Sequence, residues 1–251
     1  MGDERGLALD PGLAVVVGAG GGVGQALCER IEQHLPQLTL CRLGRRESVR
    51  LDLLDDDSLQ QARDHVAALA AQQPLRLFID ATGYLHQGDW QPEKSWRTLE
   101  RDHLMHQFAI NTVGPALLMK HFLPLLPRQG KSVFATLSAR VGSIGDNRLG
   151  GWYSYRASKA ALNMMTEAAQ EEANKSNSKI KFFALSPGVV DTNMQEDIRS
   201  APENGFSLLG KFKGLKADNA LSSPQEAAEK IIYLIDNGEQ FEGVLQDVRE
   251  F

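Results

Sequence analysis

The sequence predicts an α/β fold in which helices cover both faces of a parallel sheet. Short apolar runs alternate with amphipathic stretches of helical spacing along the chain. The length of 251 residues suits one large α/β domain, and no internal repeat or linker divides it. Strand–helix–strand repetition of this kind favours a doubly wound sheet. We therefore expect one three-layer α/β/α domain over residues 1–251.

The individual elements follow from the hydrophobic pattern. Strands are predicted at 13–17, 38–43, 75–80, 131–137 and 179–185, with a last short strand near Val244. Helices are predicted at 22–34, 55–72, 99–126, 152–173 and 224–237. Asp57 and Ser58 offer a capped start to the second helix, and Pro224 fits the first turn of the last. Ligands of such folds bind at the carboxyl ends of the strands, so the residues that follow each strand are the candidates for function.

Composition excludes several classes of protein. The chain has 27 Lys and Arg against 32 Asp and Glu, a net charge of −5, which disfavours a nucleic-acid binder with a globally basic surface. No apolar run reaches the length of a membrane span. Cys28 and Cys41 lie in no CxxC or Cys/His cluster, and the six histidines form no ligand set, so we expect no metal. Residues 1–11 read as a flexible lead-in rather than a signal peptide, and we expect a cytoplasmic protein.

The first strand ends in a glycine-rich turn, Gly18-Ala-Gly-Gly-Gly-Val-Gly24, that opens the first helix. Glycines let the backbone approach a pyrophosphate closely, and the free N–H groups of the helix start attract its charge. Between a first strand and a first helix, this turn favours dinucleotide binding and a Rossmann-type fold over a merely flexible connection. The expected contacts come from Gly18, Gly20, Gly22, Val23 and Gly24.

The second strand carries the residues that select the cofactor. Gly44 ends it, Arg45 and Arg46 follow, and no acid is present at the strand end to bind the ribose 2′-hydroxyl of NAD. Two guanidinium groups can bind a 2′-phosphate, so the sequence favours NADP(H), with NAD(H) as the alternative. The other interpretation is that both arginines only solvate a loop. Asp52 is placed to receive the adenine amino group or to cap a helix.

Four further residues point to proton chemistry. Tyr155 and Lys159 are four apart in a helical segment and share a face. Ser138 follows the fourth predicted strand, and Asn111 lies in the long predicted helix. A Tyr-x-x-x-Lys pair often occurs by chance on a protein surface. Its position after the fourth predicted strand, together with Ser138 and Asn111, makes a functional role the better interpretation.

With these residues the chain resembles the short-chain dehydrogenase/reductase family over nearly its whole length. Gly18, Gly22 and Gly24 match the family's glycine pattern, and the family tetrad matches Asn111, Ser138, Tyr155 and Lys159. The segment after the fifth predicted strand matches at Pro187, Gly188, Val190 and Thr192. The stretch 138–159 is most similar to the C-factor-like bacterial branch. Val17 replaces the usual Thr, Asp80-Ala-Thr-Gly83 replaces Asn-Asn-Ala-Gly, and a longer loop at 142–151 separates Ser138 from Tyr155.

The resemblance implies a reaction that interconverts a carbonyl and a primary or secondary alcohol. Tyr155 is then the acid and base, with a pKa lowered by Lys159; Ser138 binds the substrate oxygen. Asn111 holds a water that links Lys159 to solvent, and Lys159 also binds the nicotinamide ribose. Thr192 holds the carboxamide, and Gly83 and the Pro187–Thr192 segment complete the cofactor site. Residues 193–216 correspond to a substrate lid.

The resemblance also implies a homodimer or homotetramer with a small-molecule substrate. Its subunit contacts are expected from two helices, through Phe108, Leu117, Leu118 and Phe122 and through Ala161, Leu162, Met165 and Ala169. The alternative function is a nucleotide-binding regulatory or signalling protein of the C-factor type that does not depend on catalysis. NADPH oxidation against a panel of carbonyl compounds separates the two.

Overall fold

A sheet of seven parallel strands runs through the computed structural model, which describes residues 9–86, 90–147, 150–176, 178–200 and 209–251. The strands are β1 (Gly12–Val17), β2 (Leu38–Gly44), β3 (Val49–Arg50), β4 (Leu75–Asp80), β5 (Ser132–Leu137), β6 (Ile180–Ser186) and β7 (Leu245–Asp247). Their order is β3-β2-β1-β4-β5-β6-β7, and each neighbouring pair is parallel. The chain reverses its direction of travel across the sheet between β1 and β4, which places a ligand crevice at their carboxyl ends.

Helices cover both faces of the sheet, as the sequence predicts. They are α1 (Gly22–His34), α2 (Asp56–Ala70), α3 (Arg101–Phe108), α4 (Gly114–Phe122), α5 (Tyr153–Lys175), α6 (Asn193–Ser200), α7 (Leu209–Ala217) and α8 (Pro224–Asp236). On one face α1 and α8 pack together, with Ile31 and Ile231 in the core. On the other face α2, α4 and α5 enclose a second core that contains Phe78, Phe122 and Phe134. The predicted three-layer α/β/α architecture is confirmed.

The long helix predicted at 99–126 is interrupted. A π-helical segment, Ala109–Val113, separates α3 from α4. Pro115 has no N–H to donate to the carbonyl of Asn111 four residues earlier, so a regular α-helix cannot continue through this point. Such π-helical segments often mark functional positions, and this one contains Asn111.

One strand is missing from the predictions, and three predictions of detail are wrong. The edge strand β3 was not predicted, because two residues carry no periodic pattern. The second helix is capped by Asp55, which accepts a hydrogen bond from the Ser58 N–H at 3.1 Å, and not by Asp57 and Ser58. The lead-in is shorter than 1–11, because Leu9 is 2% exposed and packs in the core. Leu118, Phe122 and Leu162, expected at subunit contacts, are completely buried within the chain.

Two predicted features lie partly outside the residues that the structure describes. The lid prediction at 193–216 includes residues 201–208, which lie outside them, as do residues 1–8 of the lead-in. Within the described ranges, no helix is both long and apolar enough to cross a membrane.

Candidate active site

The glycine turn forms a cradle at the start of α1. Gly18 adopts a left-handed backbone conformation, with φ of 78°, that favours glycine. A Cβ on Gly24 would lie 2.1 Å from the Gly18 carbonyl oxygen, so only glycine fits there. Gly21 caps α1 without a side-chain hydrogen bond, and the first turn holds no acidic residue. The N–H groups of this turn are therefore open to an anion, as dinucleotide binding requires.

The segment that follows β6 lies against this cradle. A Cβ on Gly22 would lie 3.0 Å from the Thr192 methyl carbon, so Thr192 stands directly against the start of α1. Gly188 bends the preceding segment with φ of 81°, and Val190 bridges to Ser222 beyond the lid. This geometry fits a dinucleotide held between the glycine turn and the 187–192 segment.

The residues after β2 include an acid that the sequence analysis missed. Arg45 and Arg46 are exposed in the turn between β2 and β3. Glu47 turns back toward the cradle, and its Oε1 lies 3.2 Å from where a Cβ of Gly20 would stand. Its distance of three residues from the strand end hid it from a search for an acid at that end. The turn after β2 therefore carries two exposed arginines and one carboxylate that lies against the glycine turn.

Asp52 is already engaged within its own loop. Its Oδ1 accepts a hydrogen bond from the Leu54 N–H at 3.1 Å, and its Oδ2 pairs with Arg50 at 3.3 Å. Of the two expected roles, adenine recognition and a local structural role, the contacts support the local one.

Lys159 is buried at the carboxyl end of β5. It is 2% exposed, and its Nζ donates a hydrogen bond of 2.7 Å to the Leu137 carbonyl oxygen. Burial lowers the pKa of Lys159 to about 8, and the nearby Asp80 carboxyl acts in the opposite direction. A Cβ on Gly83 would lie 3.8 Å from the Nζ, which brings Gly83 to the same point.

Asp80 occupies the position where the resemblance leads one to expect asparagine. It is fully buried, and its Oδ1 accepts hydrogen bonds from the Thr82 N–H at 3.0 Å and the Thr82 hydroxyl at 2.6 Å. Thr136 donates to its Oδ2 at 2.8 Å. Burial raises the pKa of Asp80. Asp80 therefore connects the turn after β4 to β5 through hydrogen bonds to Thr82 and Thr136.

Tyr155 lies one helical turn before Lys159 and is partly buried against α6 and α7. Burial raises the pKa of Tyr155 to about 12, so the expected lowering of this pKa by Lys159 is wrong for the cofactor-free protein, where desolvation is the larger effect. Its ring packs with an apolar cluster whose members come from α6, α7 and the loop after β4, namely Leu85, Met194, Ile198, Leu209 and Phe212, together with Trp152. The described parts of the predicted lid therefore cover Tyr155. Asp191 anchors both helices through ion pairs to Arg199 and Lys216.

Ser138 has a partner that the sequence analysis did not anticipate. Its hydroxyl donates a hydrogen bond of 2.5 Å to Oδ1 of Asn163. Asn163 follows Tyr155 and Lys159 at intervals of four residues, so all three share one face of α5. That spacing was the available signal. The hydroxyl of Ser138 is thus engaged with α5 and is not directed at Tyr155.

Asn111 joins the π-helical segment to the rest of the site. Its side chain pairs with both backbone groups of Tyr84, accepting from the N–H at 2.8 Å and donating to the carbonyl at 2.7 Å. It also lies 3.2 Å from the Ser158 hydroxyl, next to Lys159. The four tetrad residues thus converge on the carboxyl edge of the sheet.

No cluster of three or more potential metal ligands occurs among the described residues. The geometry offers an open anion cradle, a buried lysine and a partly buried tyrosine in one crevice. This combination suits the binding of a dinucleotide beside a proton donor.

Comparison with known proteins gives the same picture. A family model described as short chain dehydrogenase matches residues 12–203. The chain is 26% identical to a benzil reductase ((S)-benzoin forming) of Bacillus subtilis, over 95% of this chain and 99% of the relative. It is 31% identical to the C-signal protein of Myxococcus xanthus, over 45% of this chain and 68% of that protein. A solved short chain dehydrogenase/reductase from Saccharomyces cerevisiae superposes with a TM-score of 0.78 at 20% identity, covering 94% of this chain and 96% of the other.

Proposed function

The chain belongs to the short-chain dehydrogenase family and is an oxidoreductase, and we propose that it reduces an apolar ketone or aldehyde with NADPH. The observation that carries this proposal is the pairing of Tyr155 and Lys159 on one face of α5 at the carboxyl edge of the sheet, with Lys159 buried and Tyr155 partly buried. A partly buried proton donor beside a buried cation suits a reaction in which negative charge develops on a carbonyl oxygen.

Each residue has a distinct part in this proposal. The nicotinamide cofactor, when bound, supplies the hydride. Tyr155 donates its proton to the carbonyl oxygen; with a pKa of about 12 it holds that proton at neutral pH. The ammonium group of Lys159 stabilises the phenolate that remains. Ser138 reaches the substrate oxygen only by exchanging its hydrogen bond to Asn163 for one to the substrate. Asn111 positions the Tyr84 backbone and holds the water that links Lys159 to solvent.

The proposed preference for NADPH rests on charge. Arg45 and Arg46 are exposed beside the glycine turn and offer two guanidinium groups to a 2′-phosphate. Glu47 opposes them, because its carboxylate repels a phosphate and accepts a ribose hydroxyl. We expect the attraction of the two arginines for the 2′-phosphate to outweigh the repulsion by Glu47, so that NADPH binds more tightly than NADH.

The proposed substrate is apolar because the wall that encloses Tyr155 is apolar. Trp152 stacks on Phe212 at 5.7 Å between ring centroids and meets the Tyr155 ring edge-on at 6.1 Å. Such walls favour an aromatic carbonyl compound. The benzil reductase relative acts on a substrate of this kind, which supports the choice.

The decisive experiment is Tyr155→Phe. Steady-state NADPH oxidation is measured on aromatic aldehydes, ketones, diketones and quinones, and NADPH affinity is measured separately. We expect turnover to fall by about 10²–10⁴ with nearly unchanged NADPH binding, because the ring and the other cofactor contacts remain. Tyr153→Phe, two residues earlier and 39% exposed, is the control. Retention of most activity by Tyr155→Phe would remove Tyr155 from the mechanism.

The similarity to the C-signal protein supports a second candidate, a regulatory nucleotide-binding protein. Tight NADPH binding without turnover on any carbonyl compound would favour that candidate. In either case we propose one domain, a cytoplasmic location and a homodimer or homotetramer. For the oligomer, the exposed apolar side chains along α3 to α5 support the proposal: Met105, Val113, Met164 and Met165.

A further inference from the structure

A row of buried polar side chains lies on one face of the helix that leads to Asn111. His103, Gln107 and Asn111 follow one another at intervals of four residues and are 3%, 1% and 1% exposed. A helix face packed into the protein is normally apolar, so three consecutive polar residues on it call for a physical reason.

The backbone of the protein determines which way each amide of this row points. The Tyr84 N–H is an obligatory donor and its carbonyl an obligatory acceptor, so Asn111 must present Oδ1 to the first and Nδ2 to the second. Asn111 Nδ2 also donates to Gln107 Oε1 at 2.7 Å. Gln107 therefore directs its Nε2 the other way, where it donates to the Leu85 carbonyl oxygen.

The orientation of Gln107 determines which ring nitrogen of His103 carries the proton. Its Nε2 lies 3.3 Å from Gln107 Nε2, which has only hydrogens to offer, so the imidazole nitrogen must accept. The ring proton then resides on Nδ1, which lies 3.6 Å from Glu93 Oε1. Trp90 stacks on the imidazole at 5.6 Å between centroids and an angle of 11°, which holds the ring in its plane.

Glu93 connects this row to the start of α5. It is 3% exposed, it accepts a hydrogen bond from the Ser154 hydroxyl, and the Ser154 N–H donates to its Oε2 at 3.3 Å. Trp152, the residue before α5, has a left-handed backbone and makes no capping bond through its side chain. The Glu93 carboxylate, which is remote in sequence, therefore caps the first turn of α5. Its negative charge also interacts favourably with the positive end of the helix dipole.

We propose that Glu93, His103 and Gln107 are positioning residues that join Asn111 to the first turn of α5, and so to Tyr155, through one directional chain with a neutral, Nδ1-protonated His103. The part of this inference that concerns turnover rests on the proposed function. A protonated His103 would direct a second N–H at Gln107 Nε2. This clash of two donors is relieved only if the Gln107 amide flips, and the flip would place its Nε2 opposite the donor Nδ2 of Asn111.

The charged and titratable groups around His103 are one carboxylate and two further histidines, with a second carboxylate beyond them. Glu93 faces it from the preceding loop, His106 lies on its own helix, and His86 follows β4, with Asp197 of α6 beyond. Burial, and more weakly the proximity of His103, lowers the pKa of both His86 and His106. The neutral form of His103 is therefore assigned from the orientation of Gln107, because the Glu93 carboxylate by itself would attract a positive charge.

The first test measures the tautomer in the unmodified protein without cofactor. Nitrogen-15 NMR of the imidazole groups distinguishes Nδ1–H from Nε2–H and from imidazolium. We expect His103, assigned through the backbone, to show Nδ1–H at pH 7. An Nε2–H tautomer or an imidazolium at that pH would overturn the proposal, whether or not the protein turns over any substrate.

The second test asks whether His103 acts through Gln107. His103→Phe and Gln107→Met should each lower kcat by about fivefold or more with little change in the Kd for NADPH, and the double variant should lose no more than about twofold beyond the worse single change. His65→Phe, exposed on α2, is the matched control. Fully additive losses would show independent structural damage and would contradict the chain.

Discussion

The burial of Lys159 has a measurable thermodynamic consequence. Burial lowers its pKa from 10.5 to about 8, so the folded protein without cofactor holds a buried ammonium group at a cost. A lowering of this size corresponds to roughly 3 kcal/mol. Lys159→Met removes the charge with little change in side-chain volume. It also removes the donor to the Leu137 carbonyl, at a cost of about 1–3 kcal/mol.

The sign of the pH dependence follows from proton binding. Between pH 8 and 10.5 the unfolded lysine is protonated and the folded one is not, so the unfolded state binds more protons. Stability from this group therefore rises with pH through that window and is lowest below pH 8. The Lys159→Met variant lacks this rise. From pH 7 to pH 10 the unmodified protein should gain roughly 2–3 kcal/mol relative to the variant.

Urea unfolding of both cofactor-free proteins at pH 7, 8, 9 and 10 measures this difference. The thiols of Cys28 and Cys41, whose pKa values burial raises to about 11, contribute equally to both proteins and cancel. Lys175→Met, exposed on the same helix, is the control and should follow the unmodified protein. Parallel pH profiles for Lys159→Met and the unmodified protein would refute the assigned burial penalty.

The other predictions concern the cofactor site and assembly. Gly24→Ala should lower the free energy of unfolding by about 1–3 kcal/mol or more, because its Cβ meets a backbone oxygen at 2.1 Å. Gly20→Ala, whose Cβ meets only the Glu47 side chain at 3.2 Å, should be nearly neutral by the same urea assay. Replacing Arg45 and Arg46 by alanine should weaken NADPH binding by about 1.5–3 kcal/mol per lost charged hydrogen bond and leave NADH nearly unchanged. Glu47→Gln should strengthen the preference for NADPH, and an unchanged ratio of the two affinities would contradict this. Equal fluorescence-titrated affinities for NADPH and NADH in the unmodified protein would contradict the proposed preference itself. Light scattering at micromolar concentration should give a dimer or tetramer, and a mass of 27.6 kDa would exclude both.

Features that depend on the spacing of nearby residues could be predicted from the sequence. The alternation of strands and helices predicts the layered fold because periodicity and burial are linked along each element. The glycine turn and the four-residue interval from Tyr155 to Lys159 are equally local, so the sequence placed them on the correct elements. Their catalytic roles stay predictions.

Features that depend on distant neighbours came only from the tertiary structure. Ser138 meets Asn163 across 25 residues, and Glu93 meets Ser154 across 61. The pKa values of Tyr155 and Lys159 depart from their ordinary range because surrounding elements remove water from them. A hydrogen-bond partner or a desolvated environment is a property of packed space, and the sequence neighbours of a residue do not determine which other segment fills that space.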